Sequence, residues 1–508
     1  MQPADNFNLV TELANPVAYL DEVVSRVEVI ETHISWIFLT DQFAYKVKKL
    51  VHNHFVDYST LERRHQFCLE EVRIDRRYAA DLYLGVVPIG VGATGLIVSE
   101  TAGESICEYA VKMRRFPSDA LLAQQLLADR IEPRSIVELG ERIAGFHLTA
   151  CHATGNDLGE TEHVLDEAID NFDALFKSKF NTSADRDLLS ELHDWTLRFW
   201  QTHRQAFEAR KQQGFVRECH GDLHTGNIVH WKGTFTPFDG VEFNPRFRWI
   251  DVLSDVAFLA MDLIAKEREE LSRLLINAYL ERTGDYDALD LLRWYIIYRA
   301  LVRSKIADLV MTQHVSTSEP FAVARAERAA MLRVGKGAST PRLVRLWITH
   351  GLSGSGKSTA AEQVVLKQGA VRIRSDVERK RMFNMSVDSR PEGDAQVDAL
   401  YSNQSSQQTY ERLGQLAERV LKAGYSVIID ATFLKRYQRQ SFCDLAERLK
   451  IPFSILQLST DRATLEQRLS NRRAVDRDPS DADVDVLQRQ IDELEPLSEA
   501  EQEFISSP

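Results

Sequence analysis

Cysteine is scarce and unpaired in this chain. Cys68, Cys107, Cys151, Cys219 and Cys443 are odd in number and scattered, with no Cys-x-x-Cys unit. That excludes a disulfide framework and points to reduced, mostly buried thiols. Long hydrophobic runs are also missing. A spanning helix needs about eighteen uninterrupted apolar residues, and the run near Ala257 is broken by Asp262, so no membrane association is expected. Positive charge is in deficit, with 62 Lys and Arg against 75 Asp and Glu and a net charge of -13. Nonspecific binders of nucleic acid or anionic membranes need the opposite field, although a local basic pocket for phosphates remains compatible. The start, Met1-Gln-Pro-Ala-Asp-Asn, has neither the basic residues nor the apolar stretch of a secretory signal, so a cytoplasmic location is expected. No solenoid-period repeat and no low-complexity segment is present.

What is there is a chain of 508 residues, 44% hydrophobic, too long for a single core and suited to two or three domains. It carries two separate phosphate-handling patterns. His220-Gly-Asp222-Leu-His-Thr-Gly-Asn227 precedes Phe238-Asp239-Gly240, giving D-x-x-x-x-N and D-G spacing. Far downstream, Gly351-Leu-Ser353-Gly354-Ser355-Gly356-Lys357-Ser358-Thr359 contains a complete G-x-x-x-x-G-K-[ST] phosphate loop.

The first pattern suits phosphoryl transfer to a hydroxyl. A hydroxyl in water is a poor nucleophile, so a carboxylate must receive its proton while metal ions neutralise the phosphates. Asp222 is placed to be that base, and Asn227 and Asp239 to be metal ligands, with Phe235-Thr-Pro-Phe238 a strand that carries Asp239 at its tip. The motif resembles the catalytic loop of the aminoglycoside phosphotransferase (APH-like) superfamily, which includes choline and fructosamine kinases. Asp251-Val-Leu-Ser-Asp255-Val-Ala is similar to its D-x-x-x-D-L-A element, and the resemblance implies that Asp255 braces the loop. It covers roughly residues 20 to 335. It also implies a strand lysine paired with a helix glutamate. Lys46 in Phe43-Ala-Tyr-Lys46 fits, Lys48 on the same face is an alternative, and Glu71 is preferred over Glu70 as partner. No glycine-rich loop precedes that strand. The corresponding turn, Glu31-Thr32-His33-Ile34-Ser35, leaves backbone N–H groups and the hydroxyls of Thr32 or Ser35 to meet phosphate. The adenine hinge is expected at Val111 to Arg114.

The second pattern follows a short strand and opens a helix, so curled backbone N–H groups and the helix dipole would face the phosphates. Gly351, Ser353, Gly354, Ser355, Gly356, Lys357, Ser358 and Thr359 form the nucleotide-binding set, with Lys357 on the β- and γ-phosphates and Ser358 on Mg²⁺. Val371-Arg-Ile-Arg-Ser-Asp376 ends in a carboxylate and resembles the S-D element of polynucleotide-kinase, zeta-toxin and gluconate-kinase relatives, in which that aspartate is the base. A bare helix cap is the competing account of Asp376. Val427-Ile-Ile-Asp430 ends in a further candidate metal ligand. The stretch from Arg462 to Arg473 resembles the lid helix of those kinases, which assigns Arg468 and Arg472 to charge on the moving phosphoryl group. Asp478-Pro-Ser-Asp-Ala-Asp483 is also similar to kinases of this group, and Asp481 to Glu503 reads as solvated helical surface around a weak apolar stripe.

The expected architecture is therefore an α+β, protein-kinase-like, APH-like bilobal part followed by an α/β P-loop domain with a parallel sheet. Its boundaries are an N-lobe at 1–116, a helical C-lobe at 117–335, a linker at 336–342 and the P-loop domain at 343–508. The expected activity is a bifunctional ATP-dependent phosphotransferase, with ATP and Mg²⁺ as cofactors and small-molecule hydroxyl compounds as acceptors. Alternatives stay open. The P-loop half could regulate the first half, the first half could phosphorylate aminoglycosides, or the second could phosphorylate polynucleotide 5′ ends. Nucleic acid is a partner only in this last case, which rests on the basic segments around Arg379 and Arg436. Zinc is excluded by spacing, since Cys219, His220 and His224 match no structural zinc pattern.

Overall fold

The computed structural model describes residues 9–507 except 53–55, 94, 101–104, 154–157, 392, 394–395, 397–398 and 475–483. Chain contacts divide it into two compact units. One comprises residues 1–135, 149–167 and 204–259, and the other 136–148, 168–203 and 260–508.

In the first unit a six-stranded sheet has the order β1-β2-β3-β6-β4-β5. Its strands are β1 (Glu28–Glu31), β2 (Ser35–Leu39), β3 (Phe43–Lys48), β4 (Tyr83–Gly92), β5 (Gly95–Val98) and β6 (Ile106–Arg114), and every pairing is antiparallel. Helix α1 (Leu61–Ala79) starts at Thr60, whose hydroxyl accepts the Arg63 N–H, and buries Cys68, Val72 and Ala79 against the sheet. Five of these strands are legible as alternating runs. The sixth, β5, pairs with the far end of β4 through Gly92 and Gly95, where the sequence offers little periodicity. Two short pairs follow, β7 (Val216–Glu218) with β10 (Trp249–Asp251), and β8 (Ile228–Trp231) with β9 (Thr234–Pro237). Val111 to Arg114, expected as a hinge, instead lies in β6, with Lys46 opposite Val111 and Ala44 opposite Met113. The order of elements places a hinge there, while the alternation of Glu108 to Met113 already marks a strand.

The second unit contains α2 (Glu269–Thr283), α3 (Leu289–Gln313), α4 (Glu319–Ser339) and a parallel sheet of order β12-β13-β11-β14. Its strands are β11 (Leu346–His350), β12 (Val371–Arg374), β13 (Val427–Asp430) and β14 (Phe453–Gln457), all parallel. Helices α5 (Lys357–Gln368), α6 (Ser375–Met382), α7 (Asn403–Lys422), α8 (Arg436–Leu449), α9 (Arg462–Ala474) and α10 (Val484–Glu493) complete it. Buried runs such as Leu346–His350 and Val427–Asp430 are what a sheet covered on both faces requires.

Two expectations change here. Residues 336–339 continue α4 rather than forming a linker, and the irregular connection is only 340–345. Gly335 is tolerated inside the helix because a Cβ there would stand 3.1 Å from Leu192, so close packing favours glycine. Nor do contacts part the chain near residue 340. Helix α2 packs on the P-loop sheet: Asn277 accepts the Arg372 N–H at 2.7 Å, and Glu281 pairs with Arg372 at 3.0 Å and Arg374 at 3.2 Å. Among the described residues, no helix is long and apolar enough to cross a membrane.

Candidate active sites

In the first unit, β3 and α1 bring the phosphate-handling side chains together. Lys46 Nζ lies 2.9 Å from Glu71 Oε1 and 2.5 Å from Asp239 Oδ1. Lys48 also bonds Glu71, at 2.7 Å, so both lysines share one carboxylate. Lys46 is the one that reaches Asp239. Lys48 turns inward to Glu242, which also accepts from Tyr58. Glu70 faces elsewhere, paired with Arg73 and Arg248. Burial works against the two lysine charges, but Asp239, Glu71 and Glu242 more than offset it and hold both amines above the ordinary lysine range. Burial likewise raises the Glu71 carboxyl, yet Lys46 and Lys48 bring it down to about 2.

The catalytic-loop residues are held from beneath. Asp255 accepts the N–H of His220 at 3.0 Å and of Gly221 at 2.9 Å, the bracing role its resemblance implied. Gly221 has φ 85°, and a Cβ there would stand 2.6 Å from the Phe247 carbonyl, so the turn requires glycine. His220 is buried, which pushes its pKa down and keeps it neutral. Its Nε2 lies 2.9 Å from the Phe238 carbonyl and its Nδ1 accepts the Asp222 N–H at 3.3 Å, so the proton belongs on Nε2. Asn227 Nδ2 donates to Asp222 Oδ2 at 2.9 Å, and the Asn227 carbonyl accepts the Phe238 N–H at 3.0 Å. These bonds tie the loop bearing Asp222 to the strand end bearing Asp239. The side chains of both carboxylates stay about two-fifths exposed, at 40% and 41%, while Lys46 and Glu71 lie beneath them at 9% and 0%.

Two features of this site were not foreseen. Asp75, one turn after Glu71, accepts the Gly240 N–H at 2.8 Å, and burial beside Glu71 pushes its carboxyl well above the usual aspartate range. In the expected phosphate turn one hydroxyl is bonded internally and the other, Ser35 Oγ, is buried without a hydrogen-bond partner. Thr32 Oγ1 is bonded within the turn to Ser35 at 3.0 Å, and Ser35 is fully buried. Only backbone N–H groups are left to meet phosphate there.

In the second unit the phosphate loop crosses the carboxyl end of β11, the central strand, where doubly wound sheets bind ligands. Gly354 and Gly356 have φ of 84° and 95°, and a Cβ on Gly351 would stand 2.5 Å from the Leu458 carbonyl. The loop faces a cavity of about 550 Å³. Ser353, Gly354, Gly356, Lys357, Ser358 and Thr359 line it, with Asp376 and Asp430 among the residues of the remaining wall. Gly351 and Ser355 sit beneath, and the buried Ser355 Oγ has no hydrogen-bond partner. Asp376 is not a cap. Arg374 occupies the N-cap position without a capping bond from its side chain, and Asp376, inside the first turn, is held by Arg379 at 3.2 Å. Asp430 Oδ2 is buried without a hydrogen-bond partner, with Arg374 Nε 3.8 Å away.

Arg468 lies behind the loop, donating to the Gly354 carbonyl at 3.0 Å. Arg472 belongs to α9, but its side chain falls outside the described residues, as does the stretch Asp478 to Asp483. The tail is exposed along much of its length, but its apolar stripe is packed. Leu487 and Ile491 pack with Leu352, Leu465 and Leu469. This turns Gln490 onto the loop, where Oε1 accepts the Ser353 N–H at 2.9 Å and Nε2 donates to Ser353 Oγ at 3.0 Å. The i, i+4 spacing of Leu487 and Ile491 was the available signal; the high charge around it concealed the contact.

Residues 346–497 match the family model described as AAA domain. The uncharacterized protein Rv2004c of Mycobacterium tuberculosis (strain ATCC 25618 / H37Rv) is 29% identical over 415 residues, covering 80% of this chain and 78% of that protein. Among solved structures, a choline/ethanolamine kinase family protein from Mesorhizobium loti aligns with TM-score 0.38 and 11% identity, covering 66% of this chain and 98% of its own. A sugar kinase from Janibacter sp. aligns with TM-score 0.24 and 23% identity, covering 32% of this chain and 82% of its own. The parallel sheet and its phosphate loop lie within residues 346–497, the stretch that the AAA domain model matches.

Proposed function

We propose that the protein is a bifunctional phosphotransferase, each half moving the γ-phosphoryl group of ATP to a small-molecule hydroxyl. The observation that carries this reading is that each half sets a lysine near an accessible carboxylate, Lys46 beside Asp239 in the first and Lys357 in one cavity with Asp376 in the second. In the first half Lys46, fixed by Glu71, draws on the phosphates while Asp222 accepts the acceptor proton; Asn227 and His224, the latter 3.4 Å away, orient Asp222. In the second half the loop N–H groups and Lys357 hold the phosphates, and Asp376 takes the proton. A bound Mg²⁺ would neutralise phosphate charge, and Asn227 with Asp239, and Ser358 with Asp430, whose Oδ2 accepts no hydrogen bond, are the groups suited to hold it.

Small acceptors are favoured over polynucleotides because, of the basic segments around Arg379 and Arg436, Arg379, Lys380 and Arg439 are buried, Arg439 against Glu501 at 2.6 Å, while Arg436 is exposed. A regulatory P-loop domain is the second reading. It is favoured by the Glu281 bridge, which joins helix α2 to Arg374 beside Asp430.

One experiment separates the two. Transfer of labelled γ-phosphate into a cytoplasmic metabolite extract is compared for wild type, Asp222→Asn and Lys357→Ala. Loss of a different product in each variant supports two kinases. Loss of one and the same product in both replaces that reading with regulation, and no transfer by the wild type ends both.

A further inference from the structure

Within the second unit lies a cavity of about 310 Å³ distinct from the phosphate-loop site. It is at the small end of the range for small-molecule sites, about 300–1,000 Å³. Ile276, Leu292, Ile296 and Val371 are among the apolar residues that line it. Around them stand four arginines, Arg273, Arg293, Arg333 and Arg342, against two glutamates, Glu267 and Glu269.

These charges are not mutually satisfied. Glu269 serves both Arg273, at 3.2 Å, and Arg342, at 3.8 Å. Arg273 Nε is buried without a hydrogen-bond partner. Arg293 faces no carboxylate among its bonds, donating instead to the Ala338 carbonyl at 2.6 Å and to that of Thr340. Burial lowers the Arg293 pKa, and although Tyr425 partly opposes this, the Arg342 charge lowers it further. A guanidinium pulled below its ordinary range marks a place where positive charge lacks compensation.

We infer that this cavity is a ligand site for a phosphate monoester with an apolar body, its dianionic head among the arginines and its body on the isoleucine and leucine wall. Arginine suits such a head because its planar fork gives paired bonds to phosphate oxygens. The site adjoins the chemistry without sharing it. Asn277, on its wall, bonds the Arg372 N–H, and β12 runs from there to Asp376.

The test is calorimetric titration of the full chain carrying Lys357→Ala, which removes competition by the phosphate loop. Phenyl phosphate is the probe, with inorganic phosphate, benzoate and benzyl alcohol beside it. Saturable binding of phenyl phosphate is expected, weaker for phosphate and benzoate and absent for benzyl alcohol. Arg293→Met and Arg333→Met should each weaken it at least about tenfold, a loss typical of a charge-assisted bond. Arg333 is exposed, so its replacement leaves folding intact if Arg293→Met does not. The inference is overturned by no saturation, by equal binding of inorganic phosphate, or by binding that Arg333→Met leaves unchanged.

Discussion

Replacing Lys48 with methionine tests whether the buried charge network holds the kinase-like site. Lys48 is fully buried and bonds both Glu71 and Glu242, whose side chains are 0% and 3% exposed. Methionine fills most of the volume but leaves Glu242 with Tyr58 alone. Breaking a buried pair by removing one partner costs about 3–5 kcal/mol, because the remaining charge stays desolvated. For a unit of this size that is a fall in Tm on the order of 10 °C in the corresponding calorimetric transition. Lys46→Met differs. Glu71 keeps Lys48, and Asp239 is 41% exposed and solvated, so stability should change by only about 1 kcal/mol. Phosphoryl transfer by the first half should nevertheless fall by about a hundredfold or more. Adding Glu242→Gln to Lys48→Met removes the stranded charge and should recover most of the lost stability. The reasoning is refuted if Lys48→Met costs under about 1 kcal/mol, or if the double variant is no more stable than the single one.

Acid should unfold the same unit through Glu71. Its folded pKa, about 2, lies below the ordinary glutamate value of 4.5, so its contribution is present above about pH 4.5 and lost as pH falls toward 2. Acid titration followed by fluorescence should show that loss, and Lys48→Met should move the midpoint upward. Gly351→Ala places a Cβ 2.5 Å from the Leu458 carbonyl and should destabilise the P-loop sheet by about 2 kcal/mol or more while abolishing nucleotide binding, read by calorimetry and by a fluorescent nucleotide. Glu281→Gln strips the carboxylate from Arg372 and Arg374 and should cost about 2–4 kcal/mol in the transition of the second unit. An unchanged transition would mean that the bridge is not a structural contact.

Much of the site was legible because its chemistry is local. The spacing of Asp222, Asn227 and Asp239, and the glycines and lysine of the phosphate loop, are set within a few residues of one another, and short-range geometry leaves few ways to arrange them. Lys46 and Lys48 could not be told apart, since both project from the same face of β3; only the approach of Asp239 distinguishes them. Thr32 was misjudged because whether a hydroxyl is free depends on its turn, and here Ser35 occupies it. Gln490 was missed because nothing near it in sequence indicates that Ser353 lies alongside.

Read without coordinates, the chain specified two phosphate-handling sites, an antiparallel sheet with its helix, and a parallel P-loop sheet, because turn chemistry, hydrophobic period and motif spacing act over short distances. Tertiary structure alone decided which lysine meets Asp239, that burial beside Glu71 raises the Asp75 carboxyl, that α2 packs on the P-loop sheet through Glu281, and that four arginines surround an apolar cavity. Each depends on burial and on charges brought together from distant segments, and neither quantity exists until the chain has folded.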